Sequence, residues 1–166
     1  MKIIKHIIFF IVICLALIIE ATFFSSLKFF GANPNLILII VVSMSFFLKD
    51  RTAMFYAGFA GLVEDIFMGR MIGSNMLVLI IVVYLVKTYS SRVIRENIIT
   101  PLIIVLTSSI TYYILSGALL FIVGSGNLLN LMFIQNTIFG SAYNLMLAFV
   151  IYPLCYLTLH RFKGEY

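Results

Sequence analysis

Residues 57–65 read AGFAGLVED, and this short stretch decides how the rest of the chain is interpreted. Gly58, Gly61 and Asp65 are spaced i, i+3 and i+7, which places them on one face of a helix. Small residues at this spacing let a second helix backbone approach closely, which is how helices pack where lipid supplies no hydrophobic drive. Gly69 and Gly73 continue the small-residue spacing across the following turn. The stretch therefore predicts a helix at the centre of a bundle or of a partner interface.

The chain around this stretch is far too apolar for a soluble domain. Hydrophobic residues make up 63% of the 166 residues and charged residues only 10%, against about 45–50% and about 25% in soluble domains. The composition predicts an all-α integral membrane protein and excludes soluble enzymes, nucleic-acid readers and disordered tails. The net charge of +5 is then explained by basic residues in short loops, which orient a membrane protein.

Apolar segments of suitable length predict six transmembrane helices that use nearly the whole chain as one domain, residues 1–166. Their expected bounds are 6–27, 34–48, 52–67, 72–86, 101–123 and 133–159. The first segment resembles a signal peptide, but it lacks a clear small-x-small cleavage site, so we expect a retained helix.

The distribution of basic residues predicts the orientation of the six helices. The second segment would be only about 22 Å long as a helix, shorter than the hydrocarbon core of about 30 Å. It could therefore either cross the membrane or enter it and return. If it crosses, only Lys28 and Arg70 of the eleven Lys and Arg residues lie outside; if it does not, only Lys2, Lys5 and Arg70 lie inside. The positive-inside rule favours the first arrangement, with both termini in the cytoplasm.

Three acidic residues fall in the outer half of the predicted bundle, namely Glu20, Glu64 and Asp65, near Lys28 and Arg70. Three interpretations are open: a proton or cation path, a structural role in which the acids pair with the basic residues or cap the outer turn, or the holding of a partner's segment. The structural role is favoured, because buried charges are costly and no chain of ionisable groups continues inward.

No residue pattern indicates catalysis, a cofactor or a metal site. His6 with Cys14, and Cys155 with His160, have spacings that match no usual zinc pattern. The histidines lie at the cytoplasmic rim, whereas the acids lie outward, which argues against a hydrolytic triad. Buried amides such as Asn75 are expected to form hydrogen bonds between helices.

Three motifs suggest a family, and they read Asn33-Pro34-Asn35-Leu36, Gly58-Phe59-x-x-Gly61-Leu62-x-x-x-Asp65 and Gly69-x-x-x-Gly73-x-Asn75. Together with the six helices, they resemble the rod shape-determining protein MreD family. The chain departs from the usual family pattern in having two adjacent acids, Glu64 and Asp65, an Asn at position 35, and no proline in the outer turn.

The resemblance implies a component of the wall-elongation machinery in the bacterial cytoplasmic membrane. Such proteins pair with the bitopic protein MreC and are linked to MreB filaments and to the RodA–transpeptidase synthase. The family fold is similar to the six-helix substrate-binding component of energy-coupling-factor transporters, so a vitamin-capture subunit is the alternative function. The short outer loops suit a docked partner better than a lid.

We therefore expect a non-enzymatic scaffold that binds a membrane partner through its third helix and outer edge. Gly58, Gly61, Glu64 and Asp65 are the expected packing residues and polar anchors of this interface. Gly69, Gly73 and Asn75 are expected to shape the turn into the fourth helix.

Overall fold

The computed structural model describes residues 2–24, 32–68, 71–90, 99–124 and 131–160, which contain six α-helices and no β-strand. The helices are α1 (Lys2–Ile19), α2 (Leu36–Ser45), α3 (Asp50–Met68), α4 (Ser74–Ser90), α5 (Ile99–Ile122) and α6 (Leu131–His160). A π-helical turn, Glu20–Phe24, continues α1. The predicted all-α class and number of helices are confirmed.

The second helix is shorter than its predicted bounds of 34–48, because it has only 10 residues. Asn35 lies in an extended conformation, and its side chain accepts a hydrogen bond from the Leu38 amide, so it is the N-cap. At the other end, the chain turns at Phe46. A helix of this length rises about 15 Å, half the thickness of the hydrocarbon core.

Two helical segments are long and apolar enough to span a membrane, Ile99–Ile122 and Phe133–Leu157. Three further apolar segments within the described residues are shorter: Ile7–Thr22, Leu36–Ser45 and Ser74–Ser90. The apolar composition and these two segments thus indicate a helical membrane protein.

The centre of the bundle is α2. All ten of its residues are buried, and it contacts each of the other five helices. It is apolar on every side, as expected of a helix with no solvent or lipid face. The stripe of small residues predicted that α3 would lie either at the centre of the bundle or at a partner interface. In the structure α3 packs beside the central helix and most extensively against α4.

Candidate functional site

Asp65 is fully buried and holds the beginning of α4. Its carboxylate accepts hydrogen bonds from the backbone amides of Gly73 (2.8 Å), Asn75 (3.1 Å) and Met76 (3.4 Å), and from the Ser74 hydroxyl (3.2 Å). The first amides of a helix have no partner within the helix, and a negative charge at this end is stabilised by the helix dipole. Asp65 therefore caps α4 from the end of α3.

The turn between these two helices depends on a glycine. Gly73 has a φ of +98°, in the left-handed region that side chains with a Cβ rarely adopt. This conformation directs the Gly73 amide to Asp65. The other predicted turn residue, Gly69, and the two nearby basic residues, Lys28 and Arg70, lie outside the described residues.

Glu20 performs the same task for α2. One oxygen of its carboxylate accepts from the amides of Leu36 (3.0 Å) and Ile37 (3.3 Å), at the first turn of the helix. The Asn35 side chain accepts from the Leu38 amide at 2.6 Å. The carboxylate and the N-cap together supply acceptors for three of the amides that a helix start leaves without partners.

Glu64 is fully buried and belongs to a network of amides that joins four parts of the bundle. The Asn35 side chain donates to Glu64 at 3.3 Å, and the Asn35 backbone amide donates to the Asn144 side chain at 2.8 Å. The Asn144 side chain then donates to the Ser109 hydroxyl at 3.0 Å. The network connects α3, the start of α2, α6 and α5.

Asn75 forms a hydrogen bond between helices, as its sequence environment predicts. The Tyr112 hydroxyl on α5 donates to the Asn75 side-chain oxygen at 2.8 Å. Because the Asn75 backbone amide also donates to Asp65, this residue connects α3, α4 and α5.

Gly61 lies where the backbones of α3 and α4 are close together. A Cβ on Gly61 would lie 2.6 Å from the Met76 Cα and backbone nitrogen and 2.7 Å from the Asn75 carbonyl carbon. A Cβ on Gly58, one turn earlier, would lie 3.1 Å from the end of the Ile80 side chain. Both glycines therefore pack against a helix of the same chain.

Lys87 has a structural role that the positive-inside rule does not predict. It lies in the last turn of α4 and donates to the carbonyl oxygens of Ser45 (3.1 Å) and Leu48 (2.7 Å), at the end of α2. It also forms an ion pair with the exposed Asp50 at 3.1 Å. A cation at a helix C-terminus is favourable, and the only signal for it in the sequence is a lysine in the last turn of an apolar helix.

A cavity of about 660 Å³ lies beside the acidic helix caps, between the start of α4 and the later turns of α5. Its buried lining includes four polar residues, Glu20, Asn35, Asn75 and Tyr112, beside the apolar Val78. Its exposed lining is mainly apolar and includes Met71, Ile72, Leu120 and Val123. No sequence pattern points to it, because its walls come from segments far apart in the chain.

Among the described side chains, no group of three or more His, Cys, Asp or Glu residues could hold a metal ion. Cys14 is exposed and Cys155 is buried, and both are free thiols. The side chains of His6 and His160, which were considered with these cysteines, lie outside the described part of the chain.

The fold and the polar cluster define a helical membrane protein whose buried carboxylates hold the ends of its own helices. Comparison with models of protein families then identifies the family of this chain. Residues 1–162 of the chain match the model of the rod shape-determining protein MreD, so the chain belongs to the MreD family. This confirms the resemblance drawn from the three motifs between residues 33 and 75. No curated protein and no solved structure matches the chain.

Proposed function

We propose that this chain is a non-catalytic scaffold of the bacterial cell-wall elongation machinery, which binds the bitopic protein MreC and helps to regulate cell shape and peptidoglycan synthesis. The observation that carries the proposal is the family match over residues 1–162. Family membership itself supports a role in rod shape determination. The specific partners, including MreB filaments and the RodA–transpeptidase synthase, belong to the proposal.

In this proposal the chain crosses the cytoplasmic membrane six times, with both termini in the cytoplasm. Large exposed apolar side chains support it, because they occur on α1, α3, α4, α5 and α6, whereas the described side chains of α2 are all buried. Such surfaces on a soluble protein would be an aggregation hazard. The five outer helices thus face lipid and surround the short central helix.

The partner-binding surface is the exposed side of α3, at its outer end. Ile66 is 61% exposed and Phe67 is 65% exposed, directly after the buried Glu64 and Asp65. The buried face of α3 determines the position of this surface, because Gly61 and Asp65 fix how α3 packs against α4. A single transmembrane helix of a partner can pack against such an edge by van der Waals contact and would cover its apolar side chains.

The first experiment is purification of the tagged chain from native membranes in mild detergent, followed by identification of the proteins that accompany it. We expect a near-stoichiometric MreC-like protein with one membrane span. Purification without such a protein, although the chain is folded, would contradict the scaffold proposal.

Site-specific photocrosslinking then tests the surface. A photoreactive benzoylphenylalanine in place of Phe67 should crosslink to the MreC-like protein, whereas the same residue in place of Ile103 on α5 should not. Ile103 is a matched control, because it is also an exposed apolar residue, at 54%. Equal crosslinking from both positions, or crosslinking from position 103 alone, would exclude α3 as the interface.

The alternative function is that of a vitamin-capture subunit of an energy-coupling-factor transporter. The cavity favours it, because several buried polar groups converge on one space, as in small-molecule sites. In that case a coupling membrane protein with paired ATPases would accompany the purified chain in place of an MreC-like protein.

A further inference from the structure

We infer that the cavity beside the helix caps binds the uncharged polar end of a membrane lipid, such as the glycerol end of an acylglycerol, with the acyl chain leaving through the apolar rim. This inference concerns a ligand and does not depend on which protein partner the chain binds. The volume of the cavity, about 660 Å³, lies within the range of about 300–1,000 Å³ that is usual for small-molecule sites.

Two buried polar atoms of the lining have no hydrogen-bond partner in the structure: the side-chain nitrogen of Asn75 and the hydroxyl oxygen of Ser116. Asn75 is only 3% exposed, and its side-chain oxygen is already engaged by Tyr112. A buried donor without a partner costs about 1–3 kcal/mol. A ligand that offers a hydroxyl or carbonyl oxygen would satisfy the Asn75 amide and the Ser116 hydroxyl together.

The distribution of polarity in the cavity gives the orientation of the ligand. Three of the polar lining residues are buried: Asn75 and Tyr112, both 3% exposed, and Glu20, 7% exposed. Several large apolar lining residues lie at the opposite, exposed side, including Ile72 at 76% and Val123 at 50%. A ligand therefore enters with its polar end first and leaves its apolar part at the rim, where the protein meets the hydrocarbon of the bilayer.

The charge of the cavity lining favours a ligand whose buried end is uncharged. Among the lining residues that the structure describes, the one ionisable acidic or basic side chain is Glu20, whose carboxylate is held against the start of α2. A phosphate placed in the same space would be repelled by this carboxylate. Lipids whose buried end is a hydroxyl or an ester fit better than lipids with a phosphate.

The test uses the full-length chain in phosphatidylcholine nanodiscs and a monoacylglycerol with a photoactivatable acyl chain. We expect labelling of peptides from α4 and α5, displaced by dioleoylglycerol and not by dioleoyl phosphatidic acid or by water-soluble riboflavin. Ser116→Ala should weaken binding about five-fold, the factor that corresponds to one hydrogen bond. Ser141→Ala is the matched control, because the Ser141 hydroxyl is also buried without a partner but does not line the cavity.

A second variant keeps the test decisive if Ser116→Ala fails to fold. Val123→Phe adds bulk at the exposed rim without removing a buried polar group, and it should also reduce labelling. The inference is overturned by equal labelling of wild type and both variants, by displacement with phosphatidic acid or riboflavin, or by labelling confined to helices that do not line the cavity. A loss of labelling when the single-span partner is added would assign the cavity to the partner and would also overturn it.

Discussion

Replacing Gly61 with alanine should separate α3 from α4 at the point where α4 begins. The added Cβ would lie 2.6 Å from the backbone of Met76, whereas ordinary contact begins at 3.4 Å, so α4 must retreat by about 0.8 Å. Backbone atoms cannot rotate away as the end of a side chain can. Overpacking of this kind costs about 1–3 kcal/mol.

Two further terms modify this cost. Alanine gains about 0.8–1 kcal/mol over glycine in helix propensity. The retreat of α4 also lengthens the hydrogen bonds from the Asn75 and Met76 amides to Asp65, which are already 3.1 and 3.4 Å long, and a lost cap costs about 0.5–2 kcal/mol. The balance predicts that Gly61→Ala lowers the free energy of unfolding by about 2 kcal/mol.

Gly58→Ala is the matched control, because it makes the same change one turn earlier on the same helix. Its Cβ would meet the end of the Ile80 side chain at 3.1 Å, and this end can move by a few tenths of an ångström. The gain in helix propensity then offsets the contact, so the free energy of unfolding should change by less than about 0.5 kcal/mol.

The assay is thermal unfolding in detergent, followed with a thiol-reactive dye in a Cys14→Ser background. Cys155 is buried, so it becomes reactive only when α6 leaves the bundle. A loss of 2 kcal/mol should lower the melting temperature by about 4–8 °C for a chain of this length. Melting of Gly61→Ala at or above the wild-type temperature, with Gly58→Ala unchanged, would refute the close approach of α3 and α4.

Three further predictions concern the charged helix caps. Asp65→Asn keeps an acceptor oxygen but removes the charge at the start of α4, so it should cost about 1 kcal/mol in unfolding free energy and leave proton flux into liposomes unchanged; a changed flux would support an ion path instead. Lys87→Met leaves two carbonyls at the end of α2 without their donor and should lower the free energy of unfolding by about 1–3 kcal/mol. Asp50→Asn, which changes the exposed ion-pair partner of Lys87, should lower it by less than about 1 kcal/mol. Equal effects of these two would show that the ion pair and not the cap carries the stabilisation. Glu20→Gln should cost about 0.5–2 kcal/mol in the same melting assay, and an unchanged melting temperature would exclude Glu20 as a cap of α2.

The sequence predicts the helices well, because their signal is local. Apolar runs, the Asn33-Pro34-Asn35 turn and the Gly73 turn are each recognised within a few residues of sequence. The predicted helices differ from the structure by only a few residues at the ends that the structure describes. The second helix is shorter than predicted, because Asn35 caps it after Pro34 and the chain turns again at Phe46.

The partners of the polar residues could not be predicted in the same way. Glu20 meets amides 16 and 17 residues away, and Asn35 meets Asn144 at a distance of 109 residues in the chain. The sequence indicates that Glu20, Glu64 and Asp65 lie in the same half of the bundle, but the helix that each one serves depends on how α2 and α4 are placed. The cavity depends on the same placement, so no local sequence pattern predicts it.

The shortness of α2 connects these observations. A helix that begins and ends inside a bundle leaves backbone amides at one end and carbonyls at the other, where no water can satisfy them. A helix that crosses the membrane fully can leave both ends at the polar interface. The ten-residue α2 instead receives Glu20 and Asn35 at its start and Lys87 at its end, which matches the sign of the helix dipole at each end. Of the acids that suggest a transport path in the sequence, Glu20 is thereby accounted for as a cap of the short central helix and Asp65 as the cap of α4. Both roles favour a structural scaffold over an ion carrier.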